Sequence, residues 1–449
     1  RHTRSASSSR GLGDVYKRQP LLGRRKFLKK SILTTGCVLS PGISIPGILP
    51  ITNNKTPIRI SELKNPVAIA MWDYSWILRH HRYGEFEDWD RVLEELAERG
   101  YGAIRIDAMP QFVAADTDGR ITNTFRSVKT DWTPSLWGND YTMTFNPREA
   151  LLEFLPVCQQ HGIKVGLASW FLRHGTTRKD IFLEEGGLLR AWVETLDFLS
   201  DNNLLENVMY VDLLNEYPNW HGYVWFKNEM NKRSDMDKFL LDNPEANAPP
   251  EDANFGKSRT NPLQQQFYKE FIQSTISPLK DKFPDLDFFA SLDSAMDLQL
   301  IDLSRFNALD YHIWFEHSGR IPGLDVIRSR NPGSDYRKTY SGLTSYWKEN
   351  KESLIKWMDE RISSISKTAR ENNIVCGNTE GWGPIFWFDH PELDWKWVKE
   401  SAEICVDLAM KHDNYKFICT SNFTHPQFKG MWEDLKWHQQ ITKKIKKGE

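Results

Sequence analysis

A chain of 449 residues with 40% hydrophobic side chains has room for two or three average domains, or for one α/β barrel with long loops. A formal net charge of −2 gives no sign of a nucleic-acid or anionic-membrane partner. The 18 tryptophans are mostly core material by default, but flat indoles are also what a carbohydrate cleft needs, because apolar sugar faces stack on them.

The first 65 residues do not read as fold. Residues 14–19 spell DVYKRQ, which resembles one reading frame of a transposon end used in sequencing libraries, so 1–19 are expected to be an assembly artefact. The segment 20–55 contains GRRKFLKK at 23–30 and then a mildly apolar stretch to about 51. It resembles a bacterial twin-arginine export signal and implies a periplasmic or extracellular protein; a disordered basic tail is the alternative. Cys37 follows Gly36 as in a lipoprotein site, but Thr34 stands where a leucine would be needed. No other stretch is apolar and long enough to span a bilayer.

From residue 66 onward short apolar runs alternate with longer amphipathic ones. Eight runs suit strands buried on both faces: 67–72, 103–107, 164–169, 208–214, 287–292, 308–313, 374–379 and 416–421. Helical spacing marks 88–99, 147–160, 188–200, 263–282, 353–371 and 395–412, with a last helix in WEDLKWHQQITKKIKK. The alternation predicts an α/β fold, a single (β/α)8 TIM barrel over 56–449; an open doubly wound sheet is the runner-up. No Gly-rich phosphate loop follows the first strand. Cys158, Cys376, Cys405 and Cys419 lie in apolar runs without metal-type spacing, so buried free thiols are expected and neither metal nor cofactor is called for. A Cys376–Cys419 bridge between neighbouring strands stays open. Long polar connections follow the second, fourth and sixth strands, at 108–146, 217–261 and 314–347. They leave the strand ends where barrel enzymes keep their sites, and 243–256 is expected to be a solvated part of that wall.

Two apolar strands end abruptly in glutamate: Asn215-Glu216 after VMYVDLL, and Thr379-Glu380 after IVCGN. Cleaving a glycosidic bond takes one carboxyl to protonate the leaving oxygen and another to attack carbon or activate water. On these residues the chain, over roughly 66–428, resembles the clan A glycoside hydrolases, the cellulase-like superfamily of (β/α)8 barrels. The resemblance implies Glu216 as acid/base, Asn215 at the sugar 2-hydroxyl and Glu380 as nucleophile. It also implies that Arg105, in AIRID, keeps Glu380 ionised.

The sixth strand ends Tyr311-His312-Ile313-Trp314, where many relatives carry His-x-Tyr, and the eighth reads Thr420-Ser421-Asn422-Phe423 without the clan's terminal tryptophan. Alternation puts His312 and Trp314 on one face, so an indole replaces the phenol and His312 is the candidate hydrogen-bond partner. Trp382 or Trp387 then becomes the candidate sugar floor, with Trp72, Asp73, Trp76 and Trp170 as further cleft candidates. The expected reaction is double displacement with retention, with Glu216 carrying the higher pKa of the pair. The expected partner is a carbohydrate, and the rival reading is a catalytically silent carbohydrate-binding barrel.

Overall fold

The computed structural model describes residues 58–128, 136–139, 142–234, 262–293, 298, 301–318, 332–385 and 389–447, with backbone alone for 332–340. Residues 1–19, expected to be an artefact, the signal-like segment 20–55, Trp387 and the polar run 243–256 lie outside the described residues.

Eight parallel strands form a closed ring: β1 (Val67–Asp73), β2 (Ala103–Asp107), β3 (Lys164–Ala168), β4 (Val208–Asp212), β5 (Phe288–Phe289 and Leu292–Asp293), β6 (Ala308–Trp314), β7 (Val375–Asn378) and β8 (Tyr415–Cys419). Each pairs with the next, and β8 pairs with β1 through Val67–Phe417, Ala68–Ile418 and Ile69–Cys419. This is the TIM barrel expected from the apolar runs, and the strands read as such because both their faces are buried. Strand β5 is broken at Ala290-Ser291, where the backbone serves β4 instead: Ser291 N donates to Asp212 Oδ1 at 2.8 Å and Tyr217 N donates to Ser291 O at 2.8 Å.

The outer layer contains α1 (Trp89–Glu98), α2 (Pro147–Gln160), α3 (Gly187–Asp201), α4 (Pro262–Lys282), α5 (Pro332–Glu371), α6 (Lys396–Met410) and α7 (Leu435–Lys447). Asp88 caps α1 by accepting from Arg91 N at 3.1 Å, and Asn146 caps α2 by accepting from Glu149 N at 3.2 Å. Among the described residues no α-helix joins β5 to β6.

Two expectations need correction. Helix α5 begins at Pro332, not at 353, so much of the connection after β6 is helix and not loop. The buried stripe Leu343, Trp347, Leu354, Met358, Ile362, Ile365 and Ala369 keeps helical spacing through a segment whose Ser, Thr and Gly342 are poor helix formers. The fold also starts before residue 66. Ile60 is fully buried, and Ser61 N donates to Asp287 Oδ2 at 2.7 Å, tying this segment to the entry of β5. The four described cysteines are free and buried; Cys376 stands in register with Tyr415 and not with Cys419. No described helix is long and apolar enough to cross a membrane.

Buried histidines bear on stability. Burial pulls His174, His425 and His438 down to about 3, so each is neutral in the fold but takes a proton on unfolding below its ordinary pKa. The unfolded chain therefore binds more protons between about 3 and 6.5, and stability should fall as pH falls through that window. A thermal midpoint that stays level between pH 6.5 and 4 would contradict this.

Candidate active site

Inward positions on the strands are polar where neighbouring positions are apolar, and they converge on one guanidinium. Arg105, on β2, is fully buried; its Nη1 donates to Asp73 Oδ1 at 2.5 Å and to Glu380 Oε1 at 2.6 Å. Its Nη2 donates to Asp212 Oδ2 at 3.3 Å and also to Asn215 Oδ1. Burial alone would lower the Arg105 pKa, but Asp73, Glu380 and Asp212 raise it, and the group stays charged.

Glu216 lies four residues beyond β4, with φ of +46°, a left-handed conformation costly for a residue with a side chain. Neighbouring loops fix it there. Glu216 N donates to Ser291 Oγ at 3.1 Å, Asn215 N donates to Ser169 O at 2.8 Å, and Trp220 N donates to Glu216 O at 3.1 Å. Glu380 follows β7, and the residue before it is locked by Asp310, which accepts from Thr379 N at 2.9 Å and from Thr379 Oγ1 at 2.6 Å. The two glutamates are 8% and 1% exposed, and together with His312 they offer ligand-type atoms all within 4.8 Å of one another.

His312 stands between them. Its Nδ1 is 3.1 Å from Glu216 Oε1 and 3.5 Å from Glu380 Oε1, while Nε2 is 3.2 Å from Thr379 Oγ1. Burial by itself lowers the histidine pKa, but Glu380 and Asp310, with hydrogen bonds to Asp310 and Glu216, lift it well above the ordinary value. When the ring is protonated, both of its N–H groups donate. The trio has the donor types of a small transition-metal site, but the carboxylates that lift the His312 pKa favour a proton in competition with any ion there.

The expected charge balance differs in one respect. Arg105 was expected to hold Glu380 low, yet burial pushes Glu380 up to about 8, with Asp73 and Glu216 adding to the shift and His312 and Arg105 opposing it. The physical reason is division of the guanidinium: it also serves Asp73 and Asp212, and burial raises the pKa of both of those carboxyls as well. One cation cannot neutralise three buried carboxylates.

The tryptophans separate into two groups. Trp72 is a core residue and not a cleft one: its neighbour Asp73 faces Arg105, while its own ring packs 5.0 Å from Phe86 and its N–H donates to Thr424 O at 2.8 Å. Trp76 is also core, 4.7 Å from Phe154, with its N–H on Asp107 O at 3.0 Å. Trp170 belongs to the site, since its N–H donates to Asp73 Oδ2 at 2.8 Å and its ring lies edge-on 5.6 Å from Trp137. Trp314, the last residue of β6, and Trp382, in a short segment Gly381–Trp382 beyond β7, stand in register, both buried, and Trp382 Nε1 has no hydrogen-bond partner among the described residues. Sequence reasoning passed over Asp212, Asp310 and Asn422. Their available signal was a polar side chain inside or just after an apolar strand, which must find partners when buried.

Residues 69–446 match a family model described as sugar-binding cellulase-like. A solved structure of a candidate glycoside hydrolase from Parabacteroides distasonis shares 28% identity and a TM-score of 0.67, covering 86% of this chain and 95% of that one. An endo-β-1,4-mannanase from Thermotoga petrophila shares 12% identity at a TM-score of 0.46, covering 87% and 79%. A GH5_18 protein from Streptomyces cattleya, in complex with GlcNAc, shares 12% identity at 0.44, covering 80% and 70%. No curated protein sequence matches.

Proposed function

The chain belongs to the sugar-binding cellulase-like family, and from that membership we propose a glycosidase that cleaves O-glycosidic bonds of an oligo- or polysaccharide with retention. Glu380 is the nucleophile and Glu216 the acid/base. The observation that carries this reading is the pair of carboxylates on β4 and β7 exits with oxygens within 4.8 Å. Retaining pairs stand about 5–5.5 Å apart, whereas inverting pairs leave about 6.5–9.5 Å for a water.

In the productive form the charge sits on Glu380 beside Arg105 and the transferable proton on Glu216. Attack by Glu380 forms a glycosyl ester as the leaving oxygen takes that proton; Glu216 then removes a proton from water, which cleaves the ester. His312 orients Glu216 through the Nδ1 contact at 3.1 Å. Asn215 gives its oxygen to Arg105 and has a long 3.4 Å contact from Nδ2 to Trp220 O, so its N–H donors suit a sugar hydroxyl. The free N–H of Trp382 suits another, and Trp170 and Trp314 supply apolar wall. The twin-arginine-like segment supports an exported enzyme.

The test is a screen of aryl glycosides and plant and algal polysaccharides, with the anomeric configuration of the first product followed by proton NMR. Retention is expected; inversion would reassign Glu380 as a base. Turnover of nothing by wild type, with carbohydrate binding unchanged in Glu380→Ala, would favour the silent binder. A pH dependence follows as well. Glu380 must be ionised to attack and is raised to about 8, so the ascending limb of kcat/KM should lie far above the ordinary glutamate range. A limb near pH 4–5 would place the site's proton elsewhere.

A further inference from the structure

The two oxygens of Glu380 are held unequally. Oε1 accepts the short bond from Arg105 at 2.6 Å and lies 3.5 Å from His312 Nδ1, whereas Oε2 has the Asn422 amide, Nδ2, at 3.4 Å. Asn422 sits three residues past β8 and is itself fixed. Its Oδ1 accepts from Gly381 N at 3.0 Å, and its backbone N donates to Gly381 O at 3.2 Å. The residue adjoining Glu380 therefore sets which way the amide faces. A flipped amide would lose the Gly381 N–H and turn its oxygen onto a carboxylate.

We propose that Asn422 is a positioning residue for the attacking carboxylate, and that Oε2, the oxygen it holds, is the atom that bonds the anomeric carbon; this rests on the retaining reading above. A short charge-assisted bond ties up a lone pair and fixes Oε1, while a long amide contact aims Oε2 and leaves its lone pair reactive. In the first step the Oε2–carbon bond forms as the bond from carbon to the leaving oxygen breaks, and that oxygen receives the Glu216 proton. Oε1 becomes the ester carbonyl and keeps its Arg105 donor. Water attack at carbon then returns the electron pair to Oε2 as Glu216 takes the water proton. Among the described residues the titratable groups around Glu380 include Asp73 on β1 and Tyr74 just past it, Arg105 on β2, Asp212 and Glu216 on β4 and its exit, Asp310 and His312 on β6, and Cys419 at the end of β8. Three residues past Cys419 it is the neutral amide of Asn422 that reaches Oε2.

The experiment compares wild type, Asn422→Ala and Asn422→Asp on 2,4-dinitrophenyl glycosides of the sugar that wild type accepts. Loss of aim in Asn422→Ala should cut the glycosylation rate on the order of 10²-fold with KM little changed. Asn422→Asp keeps the acceptor for Gly381 N–H, so it folds, but it sets a like charge against Oε2. Its ascending kcat/KM limb should move up by roughly a pH unit or more. A carbon-13 titration of Glu380 without substrate should show the same upward shift. Wild-type rates, pH profile and Glu380 titration in both variants would overturn the proposal. Inverted product from wild type would overturn the nucleophile assignment itself, an outcome read from stereochemistry and not from these variants.

Discussion

Glu380→Gln should lower turnover on the order of 10⁴-fold or more, because the amide cannot form the glycosyl ester. The fold should survive the change. Burial already favours the neutral carboxyl, and Gln has the same shape and keeps an oxygen to accept from Arg105. At pH 8.5 and above the variant should be at least as stable as wild type, since it no longer has to bury a charge. Glu216→Ala should behave differently. Substrates with an activated aryl leaving group need little protonation and keep most of their first-step rate, while unactivated ones should lose about 10²–10⁴-fold. Azide separates the roles by product. In Glu216→Ala it intercepts the ester and gives the glycosyl azide with retained configuration; in Glu380→Ala it attacks from the vacated side and gives the inverted one. The same configuration from both variants would end the assignment.

The second large effect concerns Arg105. Arg105→Ala removes the guanidinium that Asp73, Asp212, Glu380 and Asn215 share, leaving buried carboxyl groups without that cation. Breaking a buried ion pair from one side costs about 3–5 kcal/mol. The cost depends on pH with a definite sign. The raised carboxyl pKa values of Asp73, Asp212 and Glu380 rise further without Arg105, so those groups are protonated in the fold but ionise on unfolding. The unfolded chain then binds fewer protons at pH 8 than the folded one, and the deficit should be larger at pH 8 than at pH 5. Arg105→Lys should recover little, because a point ammonium cannot bridge Asp73 and Glu380 on one nitrogen and Asp212 and Asn215 on the other. Chemical denaturation at the two pH values measures the difference; equal deficits would mean that packing, not charge, is what Arg105 supplies.

Much of this was legible in the sequence because a barrel strand is buried on both faces and announces itself as an unbroken apolar run. The same burial makes an embedded polar residue conspicuous, which is why Arg105, Glu216, His312 and Glu380 emerged from AIRID, VDLLNE, YHIW and CGNTE. Asp212 lay in one of those strings and was overlooked beside the glutamate, although strand alternation turns it toward Arg105. Tryptophan was harder. Trp72 and Trp170 each stand at a strand exit, and what separates them is the face each occupies and which loops fold over it. Asn422 was noticed only as a missing tryptophan; its value comes from Gly381 and Glu380, about forty residues earlier in the chain, and no local pattern contains that pairing. The charge balance was misjudged because one partner was counted for Arg105 where the fold supplies several.

The broken fifth strand has a dynamic consequence. At this seam Val211 and Asp212 align with Phe288 and Phe289 on one side, and Leu292 and Asp293 with Tyr311 and His312 on the other. The ring is closed by two dipeptides, and between them Ser291 grips the backbone of Glu216. Local opening follows the most sparsely bonded part of a fold, so amide hydrogen exchange should be fastest here among the eight strands. Each breathing excursion would loosen Glu216, the proposed acid/base, while Glu380, just past β7 and tied to Arg105, stays in place. A bound sugar that bridges the two carboxylates should slow exchange at 288–293 more than anywhere else on the barrel wall.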